Sequence, residues 1–318
     1  MEHTHTGKII KGVGGLYTVR LADGTDAPRT VLCRARGAFR HQNLTPLPGD
    51  DVTVIEEETA KTGENDTSGG GFVIDAITER RNSLIRPPMA NLDVLFITMA
   101  AAAPVPVLTT VDKLIAIAEH NRIEPVIVIT KCELNPSFAE ELASIYRLGG
   151  FSVFVLSAVE NTDVEPLHAF IENKLKGKIA AFAGASGIGK STLLNRLFPD
   201  LDLSTHEISR KIQRGRHTTR QVELFPLSDA ADCGFIADTP GFSMLDFERF
   251  DFFDKDDLPE TMREFRPLIG ACRYTKCSHT KEDGCAIVEA VREGRIAPSR
   301  HASYVELYNT LKQKKKWD

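Results

Sequence analysis

Three domains of different class are expected from this sequence: an N-terminal all-β OB-like barrel over residues 1–80, a central α/β domain over 81–245, and a helical, metal-holding C-terminal domain over 246–318. Three observations point there. The first eighty residues carry five short β-rich runs separated by turn signals. From Asn91 onward, continuous apolar runs alternate with helical periodicity. Finally, Cys272, Cys277, His279 and Cys285 fall within fourteen residues.

The β-rich runs are Lys8–Lys11, Leu16–Leu21, Thr30–Ala35, Asp51–Ile55 and Gly71–Ile77. Five such strands suit a small barrel of the OB type, whose face and loops commonly bind nucleic acid. Arg34, Arg36, Phe39, Arg40 and His41 gather around one turn, and both a nucleic-acid contact and an ordinary solvated loop fit that composition. Arg80–Pro88 reads as a linker, since the paired Pro87 and Pro88 cannot continue a helix or a central strand.

Beyond it, Asp93–Thr98, Pro125–Thr130, Phe151–Leu156 and Lys178–Ala183 are apolar runs of strand length, with helical patterns over Val111–His120 and Phe138–Leu148 between them. Buried strands alternating with helices predict a mostly parallel sheet. Between the last of these strands and an amphipathic helix over Ser191–Phe198 lies Gly184-Ala185-Ser186-Gly187-Ile188-Gly189-Lys190-Ser191-Thr192. This strand–loop–helix context makes the run a phosphate-binding loop. Its glycines let backbone N–H groups turn toward phosphate oxygens, Lys190 neutralises the β- and γ-phosphates, and the Ser191 hydroxyl is a Mg²⁺ ligand.

A phosphate loop does not choose between ATP and GTP. Thr130-Lys131-Cys132-Glu133 ends an apolar strand and resembles the guanine-reading Asn-Lys-x-Asp of regulatory GTPases, in which a carboxylate accepts two N–H groups that adenine lacks. Ser157-Ala158, also at a strand end, matches the element that offers a backbone N–H to the guanine carbonyl. Threonine and glutamate depart from the usual asparagine and aspartate, and the longer glutamate bears on the tightness of guanine binding. Downstream, Asp238-Thr239-Pro240-Gly241 matches the Asp-x-x-Gly element that reaches Mg²⁺ and the γ-phosphate through Asp238 and Gly241. The polar stretch Arg214–Arg220 suits a triphosphate-sensing switch, with Thr219 expected on Mg²⁺ and Thr218 as its substitute. The guanine reader precedes the phosphate loop here, whereas most GTPases have the reverse order, so the domain reads as circularly permuted. Its sensing element then leads directly into the C-terminal domain.

Three thiolates and an imidazole from Cys272, Cys277, His279 and Cys285 form a closed tetrahedral set, which makes one zinc structural and leaves no open position for catalysis. The tail carries Arg292, Arg295, Arg300, His301, Lys312 and Lys314–Lys316; phosphate contact and a solvated helix both fit. The whole chain is 42% hydrophobic and 26% charged, the composition of a soluble globular protein, and its net charge of −5 requires any nucleic-acid binding to come from local basic surface. No segment reaches the roughly 18 apolar residues of a membrane span, and the first six residues lack a signal core. A cytoplasmic location without membrane attachment is the expectation.

Taken together, these parts resemble the circularly permuted GTPases that assist assembly of the small ribosomal subunit, the RsgA/YjeQ/YloQ-like family. The resemblance runs along nearly the whole chain and includes Arg86–Asp93, Arg216-His217-Thr218-Thr219, Asp238–Phe242 and the cysteine–histidine set. It implies an OB-fold domain, a GTPase domain and a zinc domain. It also implies a monomeric cytoplasmic protein that binds ribosomal RNA and not DNA, with GTP hydrolysed to GDP under stimulation by the small subunit late in its maturation. Phe242 stands where many GTPases carry a water-positioning glutamine, and a phenyl ring cannot orient water. The family resemblance suggests His217 for that task, with RNA contact as its other reading. Two rival functions remain at this point: an ATPase or small-molecule kinase on the same loop, and a zinc-stapled RNA-binding protein that holds nucleotide without turnover.

Overall fold

β1 (His3–Val13), β2 (Leu16–Leu21), β3 (Thr30–Ala35), β4 (Asp51–Glu56) and β5 (Phe72–Ile77) pair in the order β1-β2-β3-β5-β4, and β4 returns to β1. The sheet therefore closes on itself and leaves no edge strand. This is seen in a computed structural model that describes residues 3–22, 28–41, 44–57, 71–85, 87–199, 222–238 and 254–313, the side chains of Arg40, His41 and Asp238 excepted. β1 serves two neighbours because it is long, with His3–Lys8 facing β4 and Gly7–Val13 facing β2. Ile9, Val19, Leu21, Cys33, Val54 and Ile74 fill the interior. Phe39, on the short helix α1 (Ala38–His41), is also buried there, so it belongs to the core and not to a surface aromatic cluster. Arg36 pairs with Asp75.

The segment read as a linker forms a small hairpin of β6 (Ser83–Ile85) and β7 (Pro88–Ala90), with its prolines at the turn. The fully buried Asp50 fastens the barrel to it, accepting two bonds from the Arg80 guanidinium at 2.7 and 2.8 Å and one from the Leu47 N–H. Gly49, at φ +96°, approaches so closely that a β-carbon there would meet the Ala90 carbonyl oxygen.

The chain folds as two compact units that interleave in sequence, one drawn from 1–93, 171–181 and 200–242 and the other from 94–170, 182–199 and 243–318. The second contains most of β8 (Leu92–Ala100), with α2 (Leu108–His120), β9 (Glu124–Thr130), α3 (Pro136–Leu148) and β10 (Ser152–Val155), while the residues of α4 (Val164–Lys174) and β11 (Ile179–Ala183) are divided between the two in sequence. β8, β9 and β10 are parallel, and their continuous apolar runs are buried as such strands require. Helix α2 buries Val111, Leu114, Ile115 and Ala118, an i, i+3, i+4, i+7 stripe. Helix α3 starts where the Asn135 side chain accepts the Phe138 N–H and Pro136 needs no donor.

After the phosphate loop comes α5 (Lys190–Leu197), then β12 (Glu223–Pro226) and β13 (Phe235–Asp238). In the first unit β13 runs parallel to the start of β11 and antiparallel to β12, and β12 meets β1 at Glu223 and Lys11, whose side chains pair at 2.6 Å. Arg20 holds the hairpin turn from the barrel, donating to the Ser228 and Ala230 carbonyls and covering Phe235.

The C-terminal part comprises α6 (Leu258–Thr261), α7 (Ala286–Arg292) and α8 (Pro298–Gln313). Leu258, Met262, Phe265, Ile287 and Tyr304 pack with Ala116 and Ile117 of α2. At that contact Arg300, only 1% exposed, bonds Asp112 at 2.6 Å and Glu264 at 2.7 Å. Burial works to discharge the guanidinium, but these two carboxylates more than offset it. Arg300 is thus an internal ion and not a surface cation, while Arg292 and Arg295 are exposed and pair with Glu289 and Glu293. Among the described residues no helix is long and apolar enough to cross a membrane.

Candidate nucleotide site and metal centre

Residues 184–189 join β11 to α5 in a loop that only glycine permits at its turning points, with φ of +151° at Gly184, +80° at Gly187 and +91° at Gly189. At Gly184 a β-carbon would strike the Thr98 carbonyl oxygen and the Ile188 side chain. Ala185, Ser186 and Gly187 face outward, whereas Ile188 is buried and pins the loop. Gly189 caps α5, so the first-turn N–H groups open toward the loop, with Lys190, Ser191 and Thr192 on that turn.

The segment 130–133 is tied to this loop. The Thr130 hydroxyl, buried to 1% exposure, lies 2.5 Å from the Ile188 carbonyl oxygen and 3.1 Å from that of Met99. Lys131 takes the left-handed conformation, and its ammonium donates to the carbonyls of Gly187 and Ala103, each at 2.7 Å. Glu133 sits in the 3₁₀ turn Cys132–Leu134, and its Oε2 is buried without a hydrogen-bond partner among the described residues. Burial raises the neighbouring Cys132 thiol, helped by Glu133 and Asp163. The Cys132 N–H faces the Leu156 carbonyl at 3.5 Å, next to the second loop. That loop is closed by Ser157 and Thr162, which exchange two 3.0 Å backbone bonds, and Arg196 of α5 donates to the Ala158 carbonyl.

The second unit therefore gathers 130–133, 157–158 and 184–192. Asp238 ends β13 one residue beyond Ala237, the register partner of Ala181 on the strand that leads into the loop. His217, Thr218, Thr219 and Gly241 lie outside the described residues. Sequence reading missed Met99 and Ala103, because a backbone carbonyl leaves no mark in side-chain composition.

In the C-terminal part, the ligand atoms of Cys272, Cys277, His279 and Cys285 all lie within 4.8 Å of one another. His279 Nδ1 is 3.4 Å from Cys272 Sγ and 3.6 Å from Cys285 Sγ, and those two sulfurs are 3.8 Å apart. A tetrahedron with Zn–S of about 2.3 Å and Zn–N of about 2.05 Å has edges of about 3.8 and 3.6 Å, so the donor set and its spacing fit zinc. Burial lowers the His279 pKa, favouring the neutral ligand form, and raises the Cys277 thiol to about 12. A bound cation reverses the thiol shift, since a coordinating thiol is deprotonated.

The family model described as RsgA GTPase matches residues 77–248, and that described as RsgA N-terminal domain matches 6–63. A protein of Caldanaerobacter subterraneus named small ribosomal subunit biogenesis GTPase RsgA is 38% identical over 313 residues, covering 98% of this chain and 97% of that one. A Listeria monocytogenes protein named small ribosomal subunit biogenesis GTPase RsgA 2 is 40% identical over 319 residues, covering 97% and 98%. Among solved structures, YjeQ from Thermotoga maritima superposes with a TM-score of 0.79 at 29% identity, over 98% of this chain and 100% of its own. YloQ, described as a circularly permuted GTPase, gives 0.74 at 33% identity, over 98% and 96%. The order of reader, phosphate loop and Asp-x-x-Gly element is the permuted one, and this chain belongs to the RsgA GTPase family.

Proposed function

We propose that this protein hydrolyses GTP to GDP and phosphate on the small ribosomal subunit and assists the late maturation of that particle. The observation that carries the choice of nucleotide is the Glu133 carboxylate: a buried acceptor oxygen without a partner among the described residues, close in sequence to Thr130 and Lys131, which bond to carbonyls of the 184–189 loop. A guanine N1–H and N2–H satisfy such a group and adenine leaves it unmet. Backbone N–H groups of 184–189 hold the phosphates, Lys190 neutralises them, and Ser157-Ala158 with Cys132 border the base. Ser191 and Thr219 would hold Mg²⁺, which when bound neutralises charge between the β- and γ-phosphates; a hydroxyl donor set suits that oxygen-seeking ion. Asp238 and Gly241 serve the Mg²⁺ and γ-phosphate side, and His217 orients the attacking water.

The proposed division of labour is residues 1–80 for ribosomal RNA, 81–245 for GTP, and 246–318 for one structural zinc. The protein acts as a cytoplasmic monomer on RNA and not on DNA. Lys190→Ala tests the site: loss of phosphate release with retained fold supports it, and unchanged release removes its basis.

A further inference from the structure

We propose that Glu282 is a positioning residue for the metal, holding in place the segment that carries two of its four ligands. This rests on the zinc reading of the cysteine–histidine set. Glu282 ligates nothing itself. One of its carboxylate oxygens accepts the Ser278 N–H at 2.8 Å and the Ser278 hydroxyl, and the other accepts the N–H groups of Thr280 and Lys281 at 3.0 and 3.1 Å. Those donors stand on both sides of His279 and directly after Cys277, so a single side chain fixes the backbone between the two ligands. The bonds also outweigh burial and bring the carboxyl down to about 2.

The segment needs such support. His279 lies at φ +57°, a left-handed conformation that a histidine keeps only where its surroundings enforce it. Glu282 supplies the enforcement on the N–H side. On the carbonyl side, α8 completes it, with the Tyr304 hydroxyl donating to the Ser278 carbonyl and His301 Nε2 donating to that of His279, both at 2.8 Å.

The sign of the effect separates positioning from plain charge. Taking up zinc converts three neutral thiols to thiolates, so the site passes from neutral to a net charge of −1, which a nearby carboxylate opposes. On charge alone, Glu282→Gln would tighten zinc binding. On positioning it weakens binding, because the amide presents one acceptor and a clashing donor pair to N–H groups that all need acceptors.

The test is zinc affinity of the full chain, measured by competition with a chromophoric chelator, together with the rate of zinc release. Glu282→Gln and Glu282→Ala are expected to weaken affinity on the order of 10- to 100-fold, in the range for groups that orient metal ligands. Glu282→Asp keeps the carboxylate and recovers part of the loss, and Glu289→Gln, on the exposed face of α7, leaves affinity unchanged. Far-ultraviolet circular dichroism of the zinc-loaded variants checks that the fold is retained, and Glu282→Gln, close in size, serves if the alanine variant does not fold. A Glu282→Gln chain that binds zinc as tightly as the unmodified one, or more tightly, overturns the proposal while leaving the metal site standing. Failure of the unmodified chain to bind zinc overturns the metal reading itself.

Discussion

The hydroxyl of Thr130 lies 2.5 Å from the carbonyl oxygen of Ile188, joining the end of β9 to the middle of the phosphate loop. Threonine stands where asparagine is usual in guanine readers, and the contact shows what the position does here. The side chain is fully buried, and its hydroxyl donates to the backbone carbonyls of Met99 and Ile188, so it braces the 184–189 loop. Lys131 makes a second brace through Gly187.

Thr130→Val removes the hydroxyl at nearly constant volume and leaves the Ile188 carbonyl without its donor. An unmet buried acceptor costs about 1–3 kcal/mol, so affinity for GTP and GDP is expected to fall together, about 10-fold or more. Thr130→Ser retains the donor and most of the affinity. Titration with fluorescent GDP and GTP analogues reads the loss; a change confined to one nucleotide contradicts a brace.

Glu133→Ala addresses the base. Removing the acceptor that guanine needs should cut the preference for GTP over ATP by about 100-fold or more, since sites built to hydrogen-bond a group reject analogues lacking it strongly. Competition binding with both nucleotides measures the ratio. Preserved discrimination places the reader elsewhere.

Arg300→Met leaves Asp112 and Glu264 buried without their cation. Breaking a buried ion cluster from one side costs about 3–5 kcal/mol, whereas also making Asp112→Asn and Glu264→Gln should return much of the loss. Thermal and denaturant melts of the single and the triple variant decide. Tyr146, whose hydroxyl donates to Asp112, and Phe151, beneath the guanidinium, tie the same cluster to α3 and the loop after it.

Much of this was legible in the sequence for a physical reason. The barrel runs, the buried strands and the glycine loop announce themselves because period, branching and positive-φ demand each leave a residue-type signature, and Cys272, Cys277, His279 and Cys285, close in sequence, also gather in space. The hairpin over Ser83–Ala90 was hidden because Pro87 and Pro88 break strands in general but occupy the turn and an edge here. Phe39 and Arg300 were misread for the opposite reason: a phenylalanine among arginines and an arginine in a basic tail look solvent-facing until the partners distant in sequence, Ile74 or Asp112, are brought beside them. Sequence carries the residue, and only packing carries its environment.

Cys33 provides a pH test of the barrel. Complete burial raises its thiol from an ordinary 9.0 to about 12. Because the folded value lies above the unfolded one, the thiol's contribution to stability is fully present below pH 9.0 and is lost as pH rises toward about 12. The unmodified protein should therefore lose more melting temperature between pH 8 and pH 10.5 than Cys33→Ala does. Equal losses would place Cys33 in contact with water.

The most direct measurement is phosphate release from GTP and from ATP, by the protein alone, with small ribosomal subunits and with large ones. Expected is slow release from GTP alone, strong acceleration by small subunits only, and no comparable use of ATP; activating partners contribute on the order of 10³ to 10⁵ in other GTPases. Equal use of ATP, or indifference to small subunits, would contradict a GTPase that acts on that particle.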